Sequence, residues 1–352
     1  MKKHMLLVVL LLLVASFLTA KALKVAFIYV GPVGDAGWTY AHDLGRQYAQ
    51  QVFGRDVITS FIESVPEGAE SESVLRNYAQ RGYDLIFATS FGYMDPIINV
   101  AKKYPKTIFM HCSGYKTAEN VGTYFGRMYE PRFLTGLIAG IMTKSNIIGY
   151  VAAHPIPEVI RGINAFALGV KYVNPNAKVH VIWSNTWYDP AMEKEAAISL
   201  LDMGADVIAQ HQDSPAPQQA AQQYGAYSIG YNSDMREFAP KAYLGAPIWN
   251  WGPYYEKVIR DVMAGTWKSE QYWGGMADGV VDIDISDLVP DTVKKLVSVF
   301  KDAIIEGKFH PFSGPIYDQD GNLRIPAGDV ASDGELLSMD WFVDNVVGTI
   351  PK

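Results

Sequence analysis

Leu23-Lys24-Val25-Ala26-Phe27-Ile28-Tyr29-Val30-Gly31-Pro32-Val33-Gly34-Asp35-Ala36-Gly37-Trp38 is the stretch on which the fold turns. Its first eight residues are a short β-branched and aromatic run, the pattern of a strand buried on both faces of a parallel sheet. Gly31, Pro32 and Gly34 break the run, and a helical pattern follows over 38–53. The same alternation continues downstream. Strands are expected at 56–62, 84–89 and 107–111, and helices at 69–81, stopped by Gly82, and at 95–104. After a helix at 130–143 the pattern restarts. Strands at 147–152, 178–183, 206–210 and 227–231 alternate with helices at 159–172, 190–203 and 216–224. Strand and helix in regular exchange imply βαβ units, a parallel sheet and helices on both of its faces. The chain therefore reads as two doubly wound α/β lobes. The tail adds helices at 249–264 and 290–306, and a turn at 317–322 that suits a hairpin and lacks the ligand spacing of a calcium loop.

A chain of 352 residues exceeds what one hydrophobic core usually supports, which also favours two domains. Half of it is apolar, and the formal charge is −7. That balance disfavours a nucleic-acid partner, because such proteins need a basic face to displace counterions. Residues 1–22 differ from the rest: Lys2 and Lys3 precede an apolar run ending in Thr19-Ala20-Lys21-Ala22, the order of a secretory signal. Its removal would make the remaining chain three charges more acidic. The only cysteine is Cys112, so no internal disulfide, no lipidated N-terminus and no cysteine metal site is expected. These features point to an unlipidated protein of the periplasm or the extracellular space. The seven histidines show no His-x-x-x-His spacing, and neither a phosphate-binding loop nor a Gly-x-Ser-x-Gly elbow is present. Neither catalysis nor a cofactor or metal is expected.

In an open α/β sheet, ligands bind beyond the carboxyl ends of the strands. The loops found there carry Asp35 and Trp38, then Phe91, then Ser113, in the first half. In the second half they carry Asn185, Trp187 and Tyr188, then Asp213, then Asn232 and Asp234, with Trp249 further on. Trp38, Phe91, Trp187 and Trp249 offer faces on which a flat ligand can stack. Asp35, Asn185, Asp213 and Asn232 offer hydrogen bonds along its edge. Each also has a plainer reading: a tryptophan can fill a core, and Asp35 and Asp189 can cap the helices that follow them.

Several segments, in this order, resemble the basic membrane protein family of ABC-transporter substrate-binding proteins. They are Gly34-Asp35-Ala36-Gly37-Trp38, the run 82–91, 101–105, Glu130-Pro131-Arg132-Phe133-Leu134-Thr135-Gly136, the run 162–169 and 204–208. The resemblance implies a type I periplasmic-binding fold with three hinge crossings. The corresponding lobes are 23–126 with 247–279, and 127–246 with 280–352. It implies a purine base or nucleoside held between aromatic rings of the two lobes, here Trp38 and Trp187 or its neighbour Tyr188. It also implies a membrane permease as partner, with the protein itself a monomer. Three positions depart from the family's pattern. Ser113 and Asn232 stand where aspartates are usual, and Ile248-Trp249-Asn250-Trp251 stands where a sugar-binding lysine is usual. Tryptophan removes a donor and fills volume, so the expected pocket is smaller and drier and suits a free base, adenine, with Asp213 accepting from its exocyclic amine. The competing readings are a ligand-binding module of a sensor or receptor, and an exported nucleoside-cleaving enzyme.

Overall fold

The computed structural model describes residues 21–351. The expected export segment 1–22 lies outside these residues except for Lys21 and Ala22. The elements are β1 (Leu23–Ile28), α1 (Trp38–Phe53), β2 (Val57–Ile62), α2 (Ala69–Gln80), β3 (Leu85–Ala88), α3 (Met94–Ala101), β4 (Ile108–Cys112), β5 (Val121–Gly126) and α4 (Tyr129–Met142). The second half holds β6 (Ile147–Ala152), α5 (Pro157–Val173), β7 (Lys178–Trp183), α6 (Pro190–Asp202), β8 (Val207–His211), α7 (Ala216–Gln223), β9 (Tyr227–Ile229) and β10 (Tyr243–Trp249). Then come α8 (Gly252–Met263), β11 (Gln271–Gly274), β12 (Val281–Ile285), α9 (Asp291–Ile305), the pair β13 (Ile316–Tyr317) and β14 (Leu323–Ile325), α10 (Asp333–Leu337) and β15 (Val346–Val347).

The strands form two large sheets. The first runs β11-β5-β4-β3-β1-β2, and the second runs β12-β10-β9-β8-β6-β7-β15. Every pairing in the first is parallel. In the second only β10 with β12 is antiparallel. This is an α/β fold with parallel sheets, as the alternation implied. The central strands are apolar along their length because helices cover both faces: β3 and β5 are buried at every residue. Helices pack in pairs, α1 with α8, α2 with α3, α4 with α5 and α6 with α7. The start of α6 is set by a cap: the Asp189 carboxylate accepts from the N–H groups of Ala191 and Met192, with Pro190 at the first helical position.

Five strands escaped the sequence pattern, β5, β10, β11, β12 and β15, and two of these, β5 and β10, lie inside the sheets. Neither β5 nor β10 was expected, and the helix expected from Trp249 begins only at Gly252. Both strands carry residues that weaken strand propensity, Gly122 and Gly126 in one and Gly245 and Pro247 in the other. Both lead to crossings between the sheets. The chain passes to the second sheet after Gly126, returns to the first after Trp249, and passes again between Gly274 and Val281. The second crossing thus falls beyond Trp249, a few residues later than the expected start of the returning segment at 247. Glycine is required at Gly126, where a Cβ would stand 2.5 Å from the Trp249 ring and 2.6 Å from Val281.

Helices α4 and α5 approach through reciprocal glycines. A Cβ at Gly136 would lie 2.1 Å from the Phe166 carbonyl oxygen, and one at Gly169 would lie 2.1 Å from that of Phe133. Backbone cannot move aside as a side-chain tip can. Gly169→Ala is therefore expected to destabilise the protein by about 1–3 kcal/mol, read as a lower urea midpoint at unchanged slope.

Candidate functional site

The loops beyond the carboxyl ends of both sheets face one another across a cleft. A cavity there spans about 390 Å³ of non-atom space, part of it open to solvent. The first lobe lines it with Val30, Trp38, Ser90, Phe91 and Ser113, and the second with Glu158, Trp187, His211, Asp213 and Tyr231. Trp38 and Trp187, from different lobes, thus share one cavity. Asn185 and Tyr188 lie in an adjoining, more open hollow that also reaches Trp187 and Asp213. Apart from Trp38 and Glu158, which sit in the first turns of helices, each of these residues ends or follows a strand, the place where parallel sheets present ligand loops.

The walls are held from behind. Trp38 donates its Nε1–H to the Thr89 carbonyl (2.7 Å), which fixes its ring, and Trp249 meets that ring edge-on at 5.5 Å. Trp249 stacks on Trp251 at 4.6 Å and 13°, and Trp251 stacks on His42 at 4.9 Å and 7°. Trp187 meets His154 edge-on at 4.8 Å. Ser113, Asn185 and Asn232 hold φ values of 65°, 56° and 73°, a left-handed backbone that asparagine tolerates and serine adopts less readily.

Three residues expected at the ligand are spent on support. The Asp35 carboxylate accepts from the N–H groups of Gly37, Thr39 and Tyr40, so it caps the start of α1 and does not line the cavity. Asn232 is fully buried and bridges two side chains. Its Nδ2 donates to Asp213 at 2.9 Å, and its Oδ1 accepts from Trp249 Nε1 at 2.9 Å. Trp249 sits one layer behind Trp38. Conversely, Val30, Ser90, Glu158, His211 and Tyr231 line the cavity without having been singled out. His211 and Tyr231 end or follow predicted strands, a signal that strand-end counting would catch. Glu158 sits in the first turn of α5 beside Pro157 and gives no such sign.

The cleft is rich in buried carboxyls. Burial raises the Asp213 carboxyl well above its ordinary value, and the nearby Asp35 and Glu193 carboxylates push it further. The Asn232 amide acts in the opposite direction. Burial lifts Asp35 to about 6 despite its three N–H donors. It lifts Glu193 to about 7, although Ser214 Oγ and the Asp189 N–H both donate to it. Burial also drives His211 down to about 4, so the ring is neutral at pH 7; its Nε2 faces Glu158 Oε1 at 3.5 Å. No lysine or arginine lines the cavity among the described residues.

The lobes touch backbone to backbone beside this cavity. A Cβ at Gly37, in the first lobe, would stand 2.2 Å from the Asp213 carbonyl oxygen in the second, and Ser233 Oγ donates to the Ala36 carbonyl (2.5 Å). Gly37→Ala is expected to hold the lobes apart. Ligand affinity should fall roughly tenfold or more, and small-angle scattering should show no compaction on adding ligand. A second expectation concerns pH. The unfolded chain ionises Glu193 near the ordinary value of about 4.3, while the folded chain keeps it protonated up to about 7. Its contribution to stability is full below the lower value and is lost as pH rises through the upper one. Glu193→Gln should flatten that part of the melting-temperature profile. The comparison separates the glutamate from His211, whose depressed value costs stability in the acid direction instead.

Comparison with known proteins agrees with this architecture. The family described as ABC transporter substrate-binding protein, PnrA-like, matches residues 22–309. A purine-binding protein of Brucella abortus is 47% identical over 330 residues, 94% of each chain. A Haloferax volcanii protein named for ABC-transporter glucose binding is 41% identical over 333 residues, 94% of this chain and 82% of that one. Among solved structures, a solute-binding protein of an ABC transporter system from Aeropyrum pernix superposes with a TM-score of 0.70 at 21% identity, covering 82% of this chain and 92% of that one. Another from Conexibacter woesei gives 0.68 at 21%, covering 82% and 98%. Both share the fold seen here. No helix among the described residues is long and apolar enough to cross a membrane. A match that runs through both lobes, from β1 into the segment after α9, places the chain in the PnrA-like family of ABC-transporter substrate-binding proteins.

Proposed function

We propose that this substrate-binding protein captures a free purine base, adenine, between Trp38 and Trp187 and delivers it to a membrane permease. The single observation that carries this reading is the cavity those two indole rings share across the lobes. A flat heterocycle stacks well on such faces, each contact being worth about 1–3 kcal/mol. Asp213, buried against the cavity, accepts from an exocyclic amine, and His211 and Ser113 offer further edge contacts. Where the family resemblance leads one to expect a lysine for ribose, Trp249 and Trp251 form a stacked wall behind Trp38. That wall supplies no donor to a sugar, which favours the base over the nucleoside. The Brucella relative's name supports a purine ligand.

In this reading residues 1–22 direct export, the protein acts unlipidated and as a monomer outside the cytoplasm, and ligand binding shifts the lobes towards the closed form that the permease accepts. The proposed lobes are those two sheets with their helices. Binding is the whole activity: no nucleoside is cleaved, and the site does not serve a sensor.

Isothermal titration with adenine, adenosine and glucose tests the proposal. Adenine should bind, adenosine more weakly, and glucose not at all. Tight glucose binding, the activity named for the Haloferax relative, with no response to adenine would overturn it. Trp187→Ala should weaken adenine binding by about 5–150-fold, the equivalent of one lost stacking face. Free adenine appearing from adenosine would instead reveal an enzyme.

A further inference from the structure

Behind the cleft, three buried side chains from three elements turn polar atoms towards one point. Arg132 on α4 is fully buried and makes one hydrogen bond, Nη1 to the Gln210 carbonyl at 2.7 Å. Its guanidinium lies 4.0 Å from the centre of the Tyr231 ring, which lines the cavity. Its Nε has no hydrogen-bond partner among the described residues, nor do Tyr150 Oη on β6 and His211 Nδ1 at the end of β8. All three surround Gly162 in the middle of α5. A Cβ built there would find Arg132 Nε at 3.7 Å, His211 Nδ1 at 3.7 Å and Tyr150 Oη at 3.9 Å, with nothing nearer.

Leaving three buried polar atoms unsatisfied is expensive, and proteins commonly meet that cost with an internal water making about three hydrogen bonds. We propose that Arg132, Tyr150 and His211 bind a structural water against Gly162. The proton pattern selects water over an anion. His211 Nε2 faces the Glu158 carboxylate at 3.5 Å, so Nε2 carries the ring proton and Nδ1 presents a lone pair. The water accepts from Arg132 Nε–H, donates to His211 Nδ1 and shares its remaining bond with the Tyr150 hydroxyl. A chloride would need a donor at all three positions. The water ties the Arg132 guanidinium to His211, and so holds the tilt of a ring that lines the cavity. Glycine at 162 leaves the space it occupies.

The sign of one substitution decides the matter, and the measurement is made without ligand, so it does not depend on the purine reading. A glycine in mid-helix is replaced by alanine, whose methyl has ordinary contacts here. If the site is dry, Gly162→Ala improves helix propensity and raises the melting temperature. If a water is bound, the methyl displaces it and strands the three polar atoms. The melting temperature then falls by about 2–4 °C, and Gly162→Ser, whose hydroxyl replaces the water, recovers most of the loss. A high-resolution crystal structure of the unaltered protein should show a peak about 2.7–3.2 Å from Arg132 Nε, His211 Nδ1 and Tyr150 Oη. A raised melting temperature for the alanine variant with no such peak would overturn the proposal. An anomalous bromide peak at that point would also overturn it, in favour of an anion.

Discussion

The two lobes meet where Gly37 lies against the Asp213 backbone, and the binding cavity exists because they meet there. One wall comes from loops after β1, β3 and β4, the other from loops after β6, β7, β8 and β9. Neither half alone encloses a ligand. A side chain at position 37 would stand where a carbonyl oxygen already is, so the smallest residue sets how far the cleft closes. The Ser233 hydroxyl on the Ala36 carbonyl adds a directional contact to that approach.

Closure has an electrostatic consequence. Asp35, Asp213 and Glu193 are brought near one another in surroundings from which water is largely excluded, and burial is the leading cause of the upward shift in each. Three mutually repelling carboxylates would oppose the closed form; protonated or heavily hydrogen-bonded, they tolerate it. The Asn232 amide is central here, because one side chain both donates to Asp213 and accepts from Trp249. It links the polar floor of the cleft to the tryptophan stack at the crossing. A residue that reads as a ligand contact thus acts as the brace for two others.

Much of this was legible in the order of residues. The strand at 23–28 and the helices that begin at Trp38 and Pro190 follow from apolar periodicity, breakers and caps, which are local properties. Trp38, Phe91, Ser113, Trp187 and Asp213 were legible as cavity residues for a similar reason: a parallel sheet places the residues after its strands on one side. Asp35 misled because a carboxylate before a helix serves a cap and a ligand equally well in one dimension. Glu158 was silent because its loop ends inside a helix. The strands β5 and β10 were missed because glycine and proline argue against strand locally, while burial in the middle of each sheet overrides them.

The sequence by itself determined the α/β plan and the set of loops beyond the strand ends, since periodicity and spacing are properties of neighbours along the chain, and the likeness of several of its segments to known proteins pointed to the family. Only the tertiary structure decided which side chains line the cavity and which stand behind them. It alone showed Gly126 yielding to the Trp249 ring, Gly37 to the Asp213 carbonyl, and Gly162 facing three unmet polar atoms. Those assignments depend on distances between residues far apart in the chain, and close packing of the two lobes is what sets them.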